Sequence, residues 1–350
     1  MRGNGKIGFA VIGLGAIAQS SVLPAFDRSK KADLAAVVSR DKKKAEEISR
    51  KFGASAWYSN DEYDECLANL EVDAVYVATP PGTHREFTVR AAEAGKHVLC
   101  EKPLAARTEQ SSAMVAACEQ AGVLFMTAYR KYFEPSTLYL KGLIQRGDLG
   151  RIDVIHTSFS ELPIPPTCPV WLFDPQMAGG GPLMDLGIYC VNTSRWLVDE
   201  DPVEVSANSW RHDTARFKEV EEGISFRMNF PSGLMVQGAS TYAAAPSSFI
   251  YVQGSEGWAS LTPAFPFEEE RSLVGKIGGQ PFEQRFAVVD EFAPQLDAFA
   301  SAIQGGPRVA ATGAEGHRDI IILDAIYESA KTRGPVSIRY DDQRIALKAV

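Results

Sequence analysis

Ile7-Gly8-Phe9-Ala10-Val11-Ile12-Gly13-Leu14-Gly15-Ala16-Ile17-Ala18 is the stretch on which the reading of this 350-residue chain turns. Its apolar opening reads as a buried strand. Gly13, Gly15 and Ala18 then form a G-x-G-x-x-A placed where that strand should turn into a helix. The first glycine allows the tight turn, the second lets a pyrophosphate approach the backbone, and the small third residue permits close helix–strand packing. Ala16 and Ile17 lie in the same cradle, at a helix N-terminus that attracts anions. A tight turn can also use glycines for packing alone. Its place at the head of a strand–helix series favours the dinucleotide reading.

Outward from that turn, apolar runs at Leu34–Val38, Ala74–Ala78, His97–Cys100 and Val123–Met126 read as buried parallel strands. Helical patterns separate them at Lys42–Phe52, Thr83–Ala94 and Thr108–Gln120. This alternation predicts a doubly wound α/β sheet, a Rossmann domain over residues 1–128. From residue 129 the texture changes. A helix (Pro135–Gln145) and a strand (Arg151–Phe159) precede a proline-rich loop (Leu162–Pro169) and a helix opened by glycines (Pro182–Val198). Period-two strands follow at Ile224–Phe230, Leu234–Tyr242, Phe249–Gln253 and Trp258–Leu261, then helices at Phe292–Ile303 and Glu315–Lys331. Residues 129–350 are expected to form an α+β domain, a large, mostly antiparallel sheet with helices on one face, supplying the substrate pocket.

The end of the second strand distinguishes the two nicotinamide cofactors. An acidic residue there holds a ribose 2′-hydroxyl, whereas basic groups suit a 2′-phosphate. Here the strand ends in Ser39-Arg40-Asp41-Lys42-Lys43-Lys44. Ser39, Arg40 and Lys44 form a candidate phosphate pocket, and the cofactor expected is NADP. The plainer alternative is a solvated helix start capped by Asp41.

Ligands of such a sheet bind beyond the carboxyl ends of its strands. Thr79 and Pro80 close one strand. Glu101-Lys102-Pro103 closes another, aiming Lys102 at the cofactor's reactive end, unless Glu101 and Lys102 merely form a surface salt bridge. His84 either lines the cofactor cleft or is an ordinary helix-start histidine, and Trp171 either closes over the nicotinamide or anchors its loop. In Gly179-Gly180-Gly181-Pro182-Leu183-Met184-Asp185-Leu186-Gly187-Ile188-Tyr189, Pro182 suits a first helical turn, and Asp185 and Tyr189 are i and i+4 on one face. A carboxylate, a phenol and the Lys102 ammonium are the candidate catalytic group. A nearby cation lowers a phenol's pKa and fits Tyr189 for general acid–base work.

Composition bounds the alternatives. Net charge is −8, with 45% hydrophobic and 23% charged residues, which disfavours nucleic acid as a partner. The five cysteines form no C-x-x-C pair, and the five histidines show no metal spacing, so no metal is expected. No signal peptide and no membrane-spanning run is seen. A cytoplasmic location is expected.

These residues resemble the glucose–fructose oxidoreductase and inositol dehydrogenase (Gfo/Idh/MocA) family along nearly the whole chain. The likeness runs through the glycine turn, Glu101-Lys102-Pro103, Ala128-Tyr129-Arg130, Gly179 to Trp196 and Ala325-Ile326-Tyr327-Glu328. Many members carry His at the position of Tyr189. Tyrosine resembles the branch that holds glucose–fructose oxidoreductase with aldose and dihydrodiol dehydrogenases. The resemblance implies Lys102, Asp185 and Tyr189 as the catalytic group, Arg130 among the cofactor residues, and dimers or tetramers paired through the C-terminal sheet. It further implies oxidation of a sugar at C1 to a lactone, either with exchangeable NADP or with retained cofactor and a second sugar as acceptor. No extended arm like that of glucose–fructose oxidoreductase is expected, and the loop at 163–175 differs from that enzyme's. The rival of another class is a non-catalytic NADP sensor, which would not require all three candidate groups.

Overall fold

The computed structural model describes residues 5–163, 168–309 and 311–340. Residues 164–167, inside the expected proline-rich loop, lie outside the described residues. In chain order the elements are β1 (Ile7–Ile12), α1 (Leu23–Arg28), β2 (Ala32–Ser39), α2 (Lys42–Phe52), β3 (Ala56–Ser59), α3 (Tyr63–Ala68), β4 (Ala74–Val77), α4 (Pro81–Glu93), β5 (His97–Cys100), α5 (Thr108–Ala121) and β6 (Phe125–Thr127). Then come α6 (Pro135–Gln145), β7 (Ile152–Ser160), α7 (Pro175–Ala178), α8 (Ile188–Val198), β8 (Glu204–Trp210), β9 (Gly223–Asn229), β10 (Met235–Thr241), β11 (Ser247–Gly254) and β12 (Gly257–Thr262). The last are β13 (Arg271–Ile277), β14 (Gln280–Phe286), α9 (Phe292–Ile303), α10 (Gly313–Thr332) and β15 (Val336–Ser337). Two compact units emerge. One runs to Phe133 and takes in Asp290–His317, and the other holds Glu134–Val289 and resumes at Arg318. The return of residues 290–317 to the first unit had no counterpart in the division at residue 128.

In the first unit six parallel strands stand in the order β3-β2-β1-β4-β5-β6. Parallel neighbours need crossover connections, so helices cover both faces and the central strands read as unbroken apolar runs. Every residue of β1 is buried. Phe9 meets Phe26 of α1 at 5.7 Å and Phe299 of α9 at 6.2 Å. The expected strands and helices are present. β3 and α3 were not foreseen, because Ala56–Ser59 is a four-residue, half-buried edge strand without an apolar run. The order reverses direction between β1 and β4, the switch point at which such sheets bind dinucleotides.

The second unit is a nine-stranded sheet, β14-β13-β12-β11-β7-β10-β9-β8-β15. β10 and β7 run parallel, and the remaining pairs are antiparallel. Along β7, Ile155, Thr157 and Phe159 are buried while His156 and Ser158 alternate with them on the other face. β8, β13, β14 and β15 escaped the sequence reading. β14, Gln-Pro-Phe-Glu-Gln-Arg-Phe, is mostly exposed and polar, and Pro281 is tolerated because the strand is an edge. The helix expected over Pro182–Val198 opens instead with a π-helical turn, Leu183–Gly187, before α8.

The start of α2 illustrates local control. Asp41 accepts from the Lys44 backbone N–H at 3.2 Å, and Gly53 ends the helix at φ 71°. Asp41→Ala is expected to lower the unfolding free energy by about 1 kcal/mol in urea titrations, the usual worth of an N-cap.

Candidate active site

In the first unit the chemistry-bearing residues follow the carboxyl ends of parallel strands, so they share one edge of the sheet. Gly13, just past β1, has φ 89°, and its N–H donates to the Val38 carbonyl at 3.0 Å. A Cβ there would lie 2.7 Å from the Ala78 carbonyl, so both conformation and space demand glycine. Gly15 differs. Its backbone is not left-handed, and a Cβ would meet nothing within 4 Å. Gly15 and Ala16 are exposed, Ile17 is half-buried and Ala18 is fully buried. No packing need explains glycine at position 15, whereas a phosphate approaching the backbone does. The residues fit a dinucleotide.

Ser39 ends β2 and accepts from the Asp41 N–H at 3.2 Å, which sets the turn into α2. Asp41 is committed to its cap, and Lys42 pairs with Glu62 at 2.6 Å. That hydrogen-bonded pairing, with two contacts from Ser59, holds the Glu62 carboxyl down at about 2. Neither Arg40 nor Lys44 has an ion-pair partner among the described residues, and Arg40 is exposed. The cap anticipated from the sequence is therefore present.

Beyond β4, Thr79 and Pro80 are half-buried, and the Thr83 hydroxyl donates to the Thr79 hydroxyl at 2.8 Å. His84 does not line an open cleft. It is fully buried, with Nε2 2.7 Å from the Thr79 carbonyl and Nδ1 3.1 Å from that of Leu104. Burial pushes its pKa down, against the pull of those carbonyls. It ties the end of β4 to the chain after β5, and is better called a positioning residue.

After β5, Glu101 is buried rather than part of a surface salt bridge. It accepts from the Tyr76 hydroxyl at 2.7 Å and from the Lys102 N–H at 3.1 Å, and the Lys102–Pro103 peptide is cis. Burial raises its pKa, opposed first by the Tyr76 hydrogen bond and then by the Lys102 and Arg130 charges. Lys102 itself is half-buried. Arg130 is buried and bonded to Glu291 at 2.5 Å. That tether came from a distant segment and had no sequence signal.

In the second unit a buried carboxylate organises the glycine run. Glu221 accepts from the N–H groups of Gly181 at 3.0 Å and Leu183 at 3.1 Å, and from the Tyr327 hydroxyl at 2.9 Å. A Cβ on Gly180 would lie 2.0 Å from the Tyr327 hydroxyl oxygen, and one on Gly181 2.5 Å from the Glu221 carbonyl oxygen. Only glycines admit this clamp. The π-helical turn follows, a form concentrated at functional sites. On it, Asp185 accepts from the Tyr242 hydroxyl at 2.8 Å. One turn on, Tyr189 stands edge-on to Phe159 at 5.8 Å and 5.6 Å from Phe265. Tyr242 follows β10 and Phe159 lies in its parallel neighbour β7, so both side chains turn toward the same part of the sheet. Asp185 and Tyr189 are both half-buried. Trp171, also half-buried, sits in a 3-10 turn, Val170–Phe173.

Glu221, Tyr242, Tyr327 and Tyr76 were missed. Tyr327 lay in a segment quoted for its resemblance, without a role. The Glu221–Glu222 pair preceding an apolar strand was the signal available for the clamp.

A Rossmann unit with a phosphate-ready glycine turn, joined in one chain to an open-sheet unit with a carboxylate and a phenol on one helix, defines a two-domain nicotinamide-dependent oxidoreductase. Residues 7–129 match an oxidoreductase family with an NAD-binding Rossmann fold, GFO_IDH_MocA, and residues 137–260 match the GFO/IDH/MocA C-terminal domain. D-xylose 1-dehydrogenase (NADP(+)) of Haloarcula marismortui is 31% identical over 335 residues, 94% of this chain and 92% of its own. Among solved structures, the aldose-aldose oxidoreductase of Caulobacter crescentus complexed with glycerol aligns with a TM-score of 0.90 and 34% identity, covering 95% of this chain and 100% of that one. A 3-ketoreductase from Actinomadura kijaniata, in complex with NADP and TDP-benzene, aligns at 0.82 with 26% identity over 93% and 98%. The chain belongs to the Gfo/Idh/MocA oxidoreductase family.

Burial raises the Glu221 pKa above its ordinary value, more than its hydrogen bonds lower it. A carboxyl with a raised folded-state pKa contributes stability below its unfolded pKa, about 4.3, and loses it as pH climbs through the folded value. Glu221→Gln has no such loss. Urea unfolding from pH 4 to neutrality is expected to show wild type losing ground to the variant as pH rises, whatever the constant offset between them.

Proposed function

We propose that the chain oxidises a cyclic aldose at C1 with NADP, giving a lactone. The observation that carries this reading is the pair on one helix, Asp185 hydrogen-bonded by Tyr242 at 2.8 Å and Tyr189 one turn away. It is supported by relatives whose names state NADP and D-xylose, or two aldoses, as what they act with.

Gly13, Gly15, Ala16 and Ile17 would hold the pyrophosphate where β1 turns into the helical stretch that leads to α1. Ser39, Arg40 and Lys44 would hold the 2′-phosphate. Thr79, Pro80, Glu101, Lys102, Arg130 and Trp171 complete the proposed lining, with His84 behind it. Bound NADP+ would supply the hydride acceptor, chemistry that belongs to the cofactor. Tyr189 takes the C1 hydroxyl proton as general base. Asp185 accepts from the sugar's hydroxyls and fixes which carbon is presented, its own orientation kept by Tyr242. Lys102 is the cation that the family likeness assigns to the same catalytic group.

Two variants differ in what happens to the cofactor. The 34% identity to an aldose-aldose oxidoreductase favours retention and transfer to a second sugar. The likeness to D-xylose 1-dehydrogenase favours ordinary exchange, as in aldose or trans-dihydrodiol dehydrogenases. Near-ultraviolet absorbance of the purified protein, with no cofactor added, decides. A reduced-nicotinamide band that grows with glucose and fades with a second sugar means retention. Turnover only on adding NADP means exchange, and silence with every sugar overturns the reading.

For assembly we propose a homodimer or homotetramer through the sheet face opposite the helices. There His156, Tyr251 and Trp258 form a row across β7, β11 and β12, at 6.1 and 5.6 Å.

Tyr189→Phe is expected to cut kcat by about 10²- to 10⁴-fold, the usual worth of a general base, with the NADP dissociation constant unchanged. Equal losses in both would make the residue structural. Arg40→Ser should raise the KM for NADP by about tenfold or more while sparing NAD, since it removes one charge-assisted contact to the 2′-phosphate alone.

A further inference from the structure

Two carboxylates stand close to the end of β2, where Ser39, Arg40 and Lys44 are assigned to a 2′-phosphate. Asp41 accepts from the Lys44 N–H at 3.2 Å, at the positive end of the α2 dipole. Glu62 comes from the turn that follows β3. Ser39 and Ser59 are register partners in the parallel pair β2–β3. Glu62 accepts from the Ser59 N–H at 2.8 Å and from the Ser59 hydroxyl at 3.0 Å. Neighbouring strands lie about 4.8 Å apart, so the carboxylate is within about 8 Å of Ser39, one Debye length at physiological ionic strength.

Local folding accounts for an acid at this place. Ser59 and Glu62 form a capping box over the turn Asn60–Glu62 that leads into α3. Either glutamate or glutamine completes such a box, and glutamate brings a charge with it. Held down at about 2, this carboxyl is ionised at neutral pH. A phosphate monoester there carries about −1.5 to −2 charge, and an open carboxylate within a Debye length opposes its binding.

Lys42 meets that carboxylate. It opens α2 two residues after Arg40, with Nζ 2.6 Å from Glu62 and 5.7 Å from the centroid of the Trp57 ring in β3. The two side chains are 57% and 30% exposed, and a pair so exposed contributes little to stability. A lysine at the first position of a helix is disfavoured by the dipole as well. What the pair changes is the field at the end of β2.

We propose that Lys42 is a specificity residue for the cofactor that acts through Glu62, cancelling an acid that would otherwise repel the 2′-phosphate. This rests on the assignment of Ser39, Arg40 and Lys44 to that phosphate, and extends it to a side chain that makes no contact with the nucleotide.

The test is calorimetric titration of the full chain with NADP+ and with NAD+, for wild type, Lys42→Met, Glu62→Gln and the double variant, with Arg40→Ser alongside. Glutamine keeps the capping box, and methionine keeps most of the lysine stem. Lys42→Met is expected to raise the Kd for NADP+ by about three- to tenfold at low salt, and by less at about 0.5 M, while the Kd for NAD+ stays the same. Glu62→Gln alone should bind NADP+ at least as tightly as wild type. The double variant should return to within about twofold of wild type, the coupling expected of residues that act as a pair. NADP+ binding unchanged in Lys42→Met overturns the inference. So does a loss shared equally by NAD+, which makes the pair a support of the fold. A loss that Glu62→Gln does not restore overturns it too, because Lys42 then contacts the phosphate itself. Arg40→Ser separates the two assignments. If it lowers the preference for NADP+ and Lys42→Met does not, the inference about Lys42 falls alone. If neither variant lowers it, the phosphate pocket falls as well.

Discussion

In the second unit, much depends on where the carboxylate of Glu221 is held. It lies buried beneath the glycine run and accepts two backbone N–H groups and the Tyr327 hydroxyl. Hydrogen bonds to a charged group contribute about 1.5–3 kcal/mol each, and taking a carboxylate out of water costs several kcal/mol. The two are of similar size, and burial pushes the Glu221 pKa up against its hydrogen bonds. The cluster is thus tightly specified without being strongly stabilising. Its consequence is geometric. With Gly180 and Gly181 pressed against Tyr327 and Glu221, the following helix must begin where it does. Asp185 then faces Tyr242, and Tyr189 faces the aromatic pair Phe159 and Phe265.

The first unit solves a related problem by different means. A parallel sheet buried on both faces leaves its strand ends as the places where polar chemistry can reach solvent. Those ends are loops, which would wander without internal ties. Buried polar groups supply the ties. His84 sits between two carbonyls, Tyr76 holds Glu101, and Glu291 holds Arg130. Residues read from sequence as contacting a ligand divide in this way. Some keep exposed atoms, such as Gly15, Ala16 and Arg40. Others, such as His84, are fully buried.

Charge placement follows the same logic around α2. Three lysines open that helix against its dipole, an arrangement that local electrostatics disfavours. Asp41 caps the helix and Glu62 takes Lys42. Arg40 follows the serine that ends β2, and Lys44 lies in the first turn of α2. A run of like charges that looked uniform in sequence is divided by its partners into members with and without an ion pair among the described residues.

The sequence by itself determined the Rossmann architecture, the two-part organisation, the glycine turn, the Lys102, Asp185 and Tyr189 candidates and the preference for basic groups at the end of β2. Each is written in local order: apolar runs, glycine spacing, residues four apart on a helix. Tertiary structure alone decided what holds them. Glu221 stands 40 residues from the Gly181 it binds, Tyr327 is 106 residues from Glu221, and Glu291 is 161 residues from Arg130. Short edge strands such as β3 and β14 also escaped, since half-exposed strands need no apolar pattern. Local periodicity records which face of an element is buried. It cannot record which distant donor satisfies a buried carboxylate, because that pairing exists only once the chain has closed on itself.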